Sequence, residues 1–161
     1  MSGHFVAHAR TLIANGYSPL PIKPGAKRPI PKGWNAYRER QMGEEEIASF
    51  PNAGIGVTGG FHHLVPIDVD TDEEDIRAAV RAALPNALVA KKGKTGATAF
   101  YRASEPIEAL KLRKPGAKKP FLEILTTGQS VIPPTIHPDT RKPYRWTTER
   151  TLFDKIGRAH V

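Results

Sequence analysis

The chain has 161 residues, which is enough for one domain with its own hydrophobic core and short for two. With 39% hydrophobic and 25% charged residues it has the composition of a globular protein, so disorder of the whole chain is not expected. The formal net charge of +8 favours an acidic partner, of which nucleic acid is the commonest and an anionic membrane surface the second.

Two absences in the sequence restrict the function classes further. The chain has no cysteine, which excludes disulfides, thiolate nucleophiles and cysteine zinc ligands, and fits a reducing compartment. No stretch approaches the ~20 apolar residues of a membrane-spanning helix, and the N-terminal segment lacks the apolar core of a signal peptide. We therefore expect a cytoplasmic protein with no membrane partner.

The first third of the chain predicts a helix, a long loop and a second helix. Residues 4–15 predict an amphipathic helix that ends at Gly16. Its apolar face carries Phe5, Ala9, Leu12 and Ile13. Residues 17–34 contain five prolines and two glycines, which predict an extended segment followed by a long ordered loop of a kind that is often functional. Residues 43–50 predict a short helix with acidic residues in its first turn.

The remaining elements predict a sheet. Residues 53–60 and 64–70 are apolar runs that we expect to form two strands paired antiparallel across a glycine turn. Residues 72–84 predict a helix that ends before Pro85. Its inward face is expected to carry Ile76, Val80 and Ala83. Further strands are expected within residues 87–92, 97–102, 121–127, 129–134 and 143–146. Hairpins mixed with one crossover helix predict an α+β domain with a mainly antiparallel sheet.

Two aspartates follow each other with one residue between them at the end of the strand LVPIDVD. Side chains alternate faces along a strand, so Asp68 and Asp70 point to the same side, with Cα atoms roughly 6.7 Å apart. A calcium-binding EF-hand is excluded, because its sixth and twelfth positions would be Glu73 and Ala79. The pattern is typical of a divalent metal held for a phosphate-bearing substrate. A solvated strand end that caps the next helix is the alternative.

Glu123 lies within the apolar strand FLEIL, where a carboxylate is costly unless it is paired or bound to metal. If this strand lies beside the strand of Asp68, three carboxylates converge, as a two-metal phosphoryl-transfer site requires. The alternative is an edge-strand glutamate that faces solvent or pairs with a lysine.

The basic residues predict contacts with phosphate. The GKT of residues 93–95 is not a phosphate-binding P-loop, because the first glycine of that motif would fall at Leu88. The basic tracts 90–94 and 111–119 flank the acidic residues, and such tracts bind phosphate backbones by counterion release, although a solvated face is the alternative. The expected ligands of a template backbone are Lys91, Lys92, Lys111, Arg113, Lys118 and Lys119.

The motifs PLPIKPGAKRPIPKGW, AGIGVTGG, LVPIDVD and FLEILTTGQSVIPPTIHPDTRKPYRW occur in this order up to Trp146. In order and spacing the set resembles the N-terminal primase-polymerase domain of bifunctional DNA primase/polymerases from phages and plasmids. That family belongs to the archaeo-eukaryotic primase superfamily, which has an RRM-like sheet at its core and makes and extends primers with a divalent metal.

The resemblance implies roles for particular residues. Asp68 and Asp70 match the paired metal-binding acids and Glu123 the third carboxylate, with Mg²⁺ or Mn²⁺ as cofactor. Many relatives carry a histidine that contacts the nucleotide triphosphate in the strand after the glycine-rich turn, where this chain has Thr98 or Ala99. The expected nucleotide-binding residues are Lys94, Thr98, Arg102, Thr135 and His137.

The expected function is template-directed nucleotidyl transfer in phage or plasmid replication. A 3′-hydroxyl attacks the α-phosphate of a nucleotide, and pyrophosphate leaves. The expected partners are single-stranded DNA template, nucleoside triphosphates and a helicase domain absent from this chain. Two alternatives stay open: a non-catalytic nucleic-acid-binding module of the same fold, and a glycosyltransferase that uses the two aspartates with a nucleotide sugar.

The last residues, IGRAHV, read as the translation of a widely used sequencing adapter. We therefore expect residues 1–155 to be a primase-polymerase domain truncated at its C-terminal end, and residues 156–161 to be an artefact. A natural basic terminus is the alternative.

Overall fold

The computed structural model describes residues 3–155, so the adapter-like tail lies outside the described residues. The helices are α1 (Phe5–Ala14), α2 (Glu44–Ala48) and α3 (Glu74–Ala83). The strands are β1 (Pro19–Ile22), β2 (Gly54–Thr58), β3 (Leu64–Val69), β4 (Val89–Lys92), β5 (Ala97–Arg102), β6 (Leu110–Leu112), β7 (Leu122–Ile124), β8 (Gln129–Val131) and β9 (Arg145–Trp146). The α+β class is confirmed, and the RRM-like detail stays a prediction. No helix among residues 3–155 is both long enough and apolar enough to span a bilayer.

The strands form two antiparallel sheets. One has the order β1-β2-β8 and the other the order β6-β7-β3-β5-β4-β9. The expected pairing of β2 with β3 is wrong, because the two strands lie in different sheets. The chain between them takes left-handed backbone angles at Gly60, His62 and His63 and forms a helical turn, which redirects β3 into the second sheet. The glycines therefore mark a change of sheet rather than a tight hairpin.

The main core lies between α1 and the three-stranded sheet. Phe5, Ala9 and Leu12 of α1 are fully enclosed, as the helical pattern predicts. They pack with buried residues of β1 and β2, among them Leu20 and Ile55. Burying each large apolar side chain stabilises the fold by about 1.5–3 kcal/mol. Because Leu64 and Phe100 of the second sheet belong to the same cluster, this core also joins the two sheets.

A smaller core covers the back face of the six-stranded sheet. Val65, Ile67 and Leu122 are buried there, and Val80 of α3 packs against them. Ala83 was expected to face inward, but it is exposed, because this segment packs against the back-face cluster through Val80 and Leu84. The front face of this sheet carries Leu64, Val89 and Phe100, which belong to the main core, and polar side chains follow them along the same strands.

Strand β6 was not predicted from the sequence. Its residues Leu110–Leu112 pair with β7 at the edge of the sheet and are exposed. A three-residue strand that is exposed throughout has no hydrophobic alternation long enough to identify it. The residues interpreted as a basic tract are therefore partly an edge strand.

The turn that precedes α2 is held by one carboxylate. Glu46 accepts hydrogen bonds from the Tyr37 hydroxyl at 2.6 Å, the Arg40 guanidinium at 2.8 and 3.1 Å, and the Gly43 amide at 3.0 Å. The hydrogen bonds from Arg40, then from Tyr37 and Gly43, lower the pKa of Glu46 to about 2. These bonds tie the end of the proline-rich loop to α2.

We predict that Glu46→Gln lowers the free energy of unfolding at pH 7 by about 1 kcal/mol, the size of a helix cap, because solvent screens the exposed ion pair. The folded pKa lies below the ordinary value of 4.5, so the stabilisation is complete above that pH and is lost as the pH falls toward 2. The melting temperatures of the variant and the parent should therefore approach each other as the pH falls from 4.5 to about 2. Glu45→Gln, in the same helical turn, is the control, and a difference that does not change with pH would contradict the assignment.

Candidate active site

A row of polar side chains crosses the front face of the six-stranded sheet. Residues directly opposite each other in antiparallel strands point to the same face. Asp68 of β3 lies opposite Thr98 of β5 on one side and Glu123 of β7 on the other. Thr98 in turn lies opposite Lys91 of β4, and Glu123 lies opposite Lys111 of β6. The strand register therefore places two carboxylates side by side between two lysines.

The three carboxylates expected at one site line one cavity. The strand of Glu123 does lie beside that of Asp68, which was the condition on which their convergence depended. Asp70 follows the end of β3, where its amide donates to the Phe121 carbonyl at 2.9 Å. Asp68, Asp70 and Glu123 all line a cavity of about 470 Å³ between the front face of the large sheet and β8.

Asp68 is the most enclosed carboxylate of the cavity. Burial raises its pKa, while the Thr98 hydroxyl, which donates to Oδ1 at 2.8 Å, and the charge of Lys91 act in the opposite direction. Removing a carboxylate from water disfavours its charged form unless a cation restores the balance. Asp68 is therefore held in one orientation in an environment that favours a bound cation.

The donor set fits a hard divalent cation such as Mg²⁺ or Mn²⁺, which prefers carboxylate oxygens. Within residues 3–155, however, no three acidic or histidine side chains are gathered closely enough to form a ready-made metal centre. The carboxylate of Glu123 instead lies 3.7 Å from the Lys111 ammonium, which is the lysine pairing that the sequence left open. The carboxylates thus share a cavity without forming a closed cluster.

Lys91 was expected to hold a DNA backbone, but it lies in the cavity. Its residue is only 8% exposed, and its ammonium lies 4.7 Å from the centre of the Tyr144 ring. Burial lowers its pKa to about 8, against the attraction of Asp68. The next residue, Lys92, points to the opposite face of β4 and pairs in register with Arg145. Unlike Lys91, it does not line the cavity.

The proline-rich loop brings a further lysine that sequence reasoning did not single out. Lys27 lines the cavity, and its carbonyl accepts a hydrogen bond from the Gln129 side chain at 2.8 Å. The only sequence signal for this loop was its length, which is typical of functional loops. Lys94 also lines the cavity and lies 3.7 Å from Asp139, with both side chains more than half exposed. Lysines from two separate loops therefore border the same space.

His137, which was expected at the nucleotide, holds a turn and lines the cavity. Its Nδ1 accepts a hydrogen bond from the Asp139 amide at 3.0 Å, so the neutral ring carries its proton on Nε2. Burial, assisted by the nearby lysines, lowers its pKa and keeps the ring neutral at pH 7. Burial also raises the pKa of Tyr144 to about 12. The ring of Tyr144 packs against Gly93 so closely that a Cβ there would lie 2.6 Å from Cε1.

Two residues expected at the nucleotide lie elsewhere. Thr135 is buried against β2, where its hydroxyl accepts from the Ile55 amide at 2.8 Å and donates to the Ile55 carbonyl at 3.0 Å. Arg102 is four residues further along β5 than Thr98, roughly 13 Å away, and stacks 4.9 Å from the Tyr17 ring. Both side chains make their hydrogen bonds outside the cavity, Thr135 with Ile55 and Arg102 with the Gly16 carbonyl. Neither residue lines the cavity.

The basic tract 111–119 is divided by the fold. Lys119 lines the cavity, whereas Lys118 and Arg113 are exposed on the loop beside it. The Arg113 guanidinium donates to the Lys118 carbonyl at 3.3 Å and so shapes this loop. An exposed cationic loop therefore borders the cavity on the side of β6 and β7.

Nearly the whole chain is similar to one family of known proteins. The family described as "Bifunctional DNA primase/polymerase, N-terminal" matches residues 9–158. No curated protein matches the chain. Because this match covers nearly the whole chain, the chain belongs to the family of N-terminal domains of bifunctional DNA primase/polymerases.

Proposed function

We propose that the chain is a template-directed nucleotidyltransferase that makes or extends DNA primers in phage or plasmid replication. Family membership supports DNA primase/polymerase chemistry. The observation that carries the proposal is the position of Asp68 opposite Glu123 on adjacent strands, with both side chains in one cavity. In the proposed reaction the 3′-hydroxyl of a primer attacks the α-phosphate of a nucleoside triphosphate, and pyrophosphate leaves.

In this proposal Asp68, Asp70 and Glu123 hold Mg²⁺ or Mn²⁺. A bound divalent cation would neutralise charge on the phosphates and on the attacking oxygen. The chain's own residues prepare this site: Thr98 fixes the orientation of Asp68 by a hydrogen bond of 2.8 Å, and Lys111 holds Glu123 at the cavity edge. The carboxylates are carried by strands rather than loops, which keeps their spacing fixed.

The template would lie over the exposed loop next to the cavity. Lys118 and Arg113 are exposed there, and Lys119 reaches the cavity itself. Phosphate contacts of this kind orient a strand without reading its sequence, which suits an enzyme that must copy any template. The back face of the sheet, which carries α3, would stay free of the template in this arrangement.

We predict that Asp68→Asn and Glu123→Gln each reduce primer extension on the order of 100-fold or more, because each removes charge that the reaction needs in a water-poor site. Asp68→Asn should stay folded, because burial already disfavours the charged form of this carboxylate and asparagine can still accept from Thr98. Extension with Mn²⁺, thermal melts and single-stranded DNA affinity should be measured for each variant.

Asp72→Asn is the matched control, because Asp72 is an exposed acid just beyond β3 that does not line the cavity. Full extension by Glu123→Gln would contradict the shared carboxylate site. DNA binding by the parent without any nucleotide incorporation would favour a non-catalytic binding module of the same fold.

A second prediction concerns the template. Reversing both charges, Lys118→Glu with Lys119→Glu, should weaken binding of single-stranded DNA equally for all sequences and reduce the slope of log affinity against log salt by about 0.7 for each phosphate that the loop no longer neutralises. Arg77→Glu with Arg81→Glu makes the same charge change on α3, behind the sheet, and should leave the slope unchanged. Equal slopes for the two double variants would show that the loop is an ordinary solvated surface.

A further inference from the structure

Helix α3 lies on the back face of the six-stranded sheet without burying any of its own residues. Val80 and Leu84 reach the apolar cluster of that face but stay only half-buried. A groove of about 360 Å³ opens between the helix and the sheet, which is within the range of roughly 300–1,000 Å³ that is usual for ligand sites. The apolar part of its lining includes Ile67 and Val69 of β3, Ala97 and Ala99 of β5, and Val80 and Leu84 of α3.

The depth of the groove comes from the two alanines of β5. Ala97 and Ala99 alternate with larger side chains that point to the front face, so the smallest side chains of the strand lie under the groove. Tyr101, the next residue on the back face, donates a hydrogen bond from its hydroxyl to the Pro85 carbonyl at 2.8 Å. This bond holds the loop after α3 against the sheet, so the groove has a defined end.

The charged residues that line the groove are both arginines, Arg77 and Arg81, one turn apart on α3. Glu74 forms an ion pair with Arg81, and the charge of Arg77 acts on the same carboxylate. Glu74 does not line the groove, and one carboxylate cannot neutralise two guanidinium groups. The helix side of the groove therefore keeps an excess of positive charge.

The sheet side carries two more cations. Lys91 faces the front cavity, so Lys92 points to the back face of β4, where it lies directly opposite Arg145 of β9. Strand β4 is the neighbour of β5, whose alanines form the groove floor. Within residues 3–155 neither Lys92 nor Arg145 forms an ion pair. Like charges placed directly opposite each other destabilise a sheet, and negative charge from a partner would remove that repulsion.

An acidic peptide matches both features of this surface. Its carboxylates can pair with the arginines, as in other acidic motifs that arginine clusters bind, while a large apolar side chain enters the groove. A nucleic acid fits less well, because its phosphate backbone offers no apolar side chain and the Tyr101 ring is tied to Pro85 rather than open for stacking. A membrane surface is too flat to enter a groove between a helix and a sheet.

We propose that the groove between α3 and the sheet docks an acidic segment of a partner protein, anchored by an aromatic or aliphatic side chain. Ile67 and Val69 of the groove lie on either side of Asp68 in β3, with their side chains on the opposite face. The partner therefore binds behind the strand that carries the aspartate and leaves the front cavity open. The inference does not depend on the proposed function, since the groove and its charges are separate from that cavity.

The test is binding of a fluorescent peptide, a run of aspartates followed by tryptophan and leucine, measured by anisotropy on the whole chain. Arg77→Glu with Arg81→Glu should weaken binding by about tenfold or more, because attraction becomes repulsion at two positions. Lys118→Glu with Lys119→Glu makes the same charge change on the loop beside the front cavity and should bind the peptide as the parent does. Peptides in which serines replace the aspartates, or alanines replace the two apolar residues, should also bind about tenfold more weakly.

A second variant tests the groove without changing charge. Ala99→Leu places a larger side chain on the groove floor and should weaken peptide binding by about tenfold, with thermal melts to show that the variant is folded. Saturating single-stranded DNA should not displace the peptide from the parent, because the two ligands are expected on opposite faces of the sheet.

Five outcomes would overturn the proposal. Absence of saturable binding by the parent would show that the groove does not take acidic peptides. Equal weakening by the two charge-reversed variants would reduce the binding to general attraction by a basic protein. Unchanged affinity of a folded Ala99→Leu variant would place the peptide outside the groove, and displacement by DNA would make this face a nucleic-acid surface. Unfolding of both the α3 variant and Ala99→Leu would show that these residues are structural.

Discussion

The register of β3 between β5 and β7 is the constraint on which the rest of the site depends. It sets Asp68 opposite Thr98 and Glu123, and the same alignment brings Lys91 and Lys111 into the row. A slip of one residue would turn every side chain of β3 to the other face and place Asp68 in the apolar cluster of the back face. Val65 and Ile67 are buried in that cluster, and their burial therefore fixes the direction of the aspartate.

In the site, the carboxylates and Lys91 lie on strands that are separated by β5. Carboxylates occupy β3 and β7, a lysine occupies β4, and the hydroxyl of Thr98 lies between them on β5. Burial raises the pKa of Asp68 and lowers that of Lys91, and the attraction between the two charges opposes both shifts. Each group therefore makes the other less costly to bury. In the proposed reaction, the divalent cation of the substrate would lie at the carboxylates, and the phosphates would lie in the same cavity.

Local signals in the sequence predicted most of the elements. The spacing of Phe5, Ala9 and Leu12 identified α1, and Gly16 and Pro85 marked the ends of α1 and α3. Glu123 was singled out because a carboxylate is costly in an apolar strand, and the β3–β7 pairing meets the condition on which a site shared with Asp68 was expected. Which strands share a sheet was not predictable, because β2 and β3 carry the same apolar pattern and the left-handed turn between them is not encoded by glycine alone.

The positive side of the cavity was harder to predict. Lys27 belongs to a loop with no periodicity, and its position depends on a contact with Gln129 about a hundred residues later. Lys91 did have a signal, since it shares a strand face with the buried Val89, whereas Lys92 does not. Reading the tract as a continuous basic patch overlooked that alternation. Arg102 was assigned from its distance along the chain, although the strand carries it away from the cavity.

The most direct measurement is a crystal structure of the protein with Mn²⁺ and a non-hydrolysable nucleoside triphosphate. Anomalous scattering locates Mn²⁺ independently of how the ligand is built. The account predicts a manganese peak bound by oxygens of Asp68 and Glu123, with the phosphates of the nucleotide in the same cavity. Manganese bound away from these carboxylates, or a nucleotide seated outside the cavity, would contradict it.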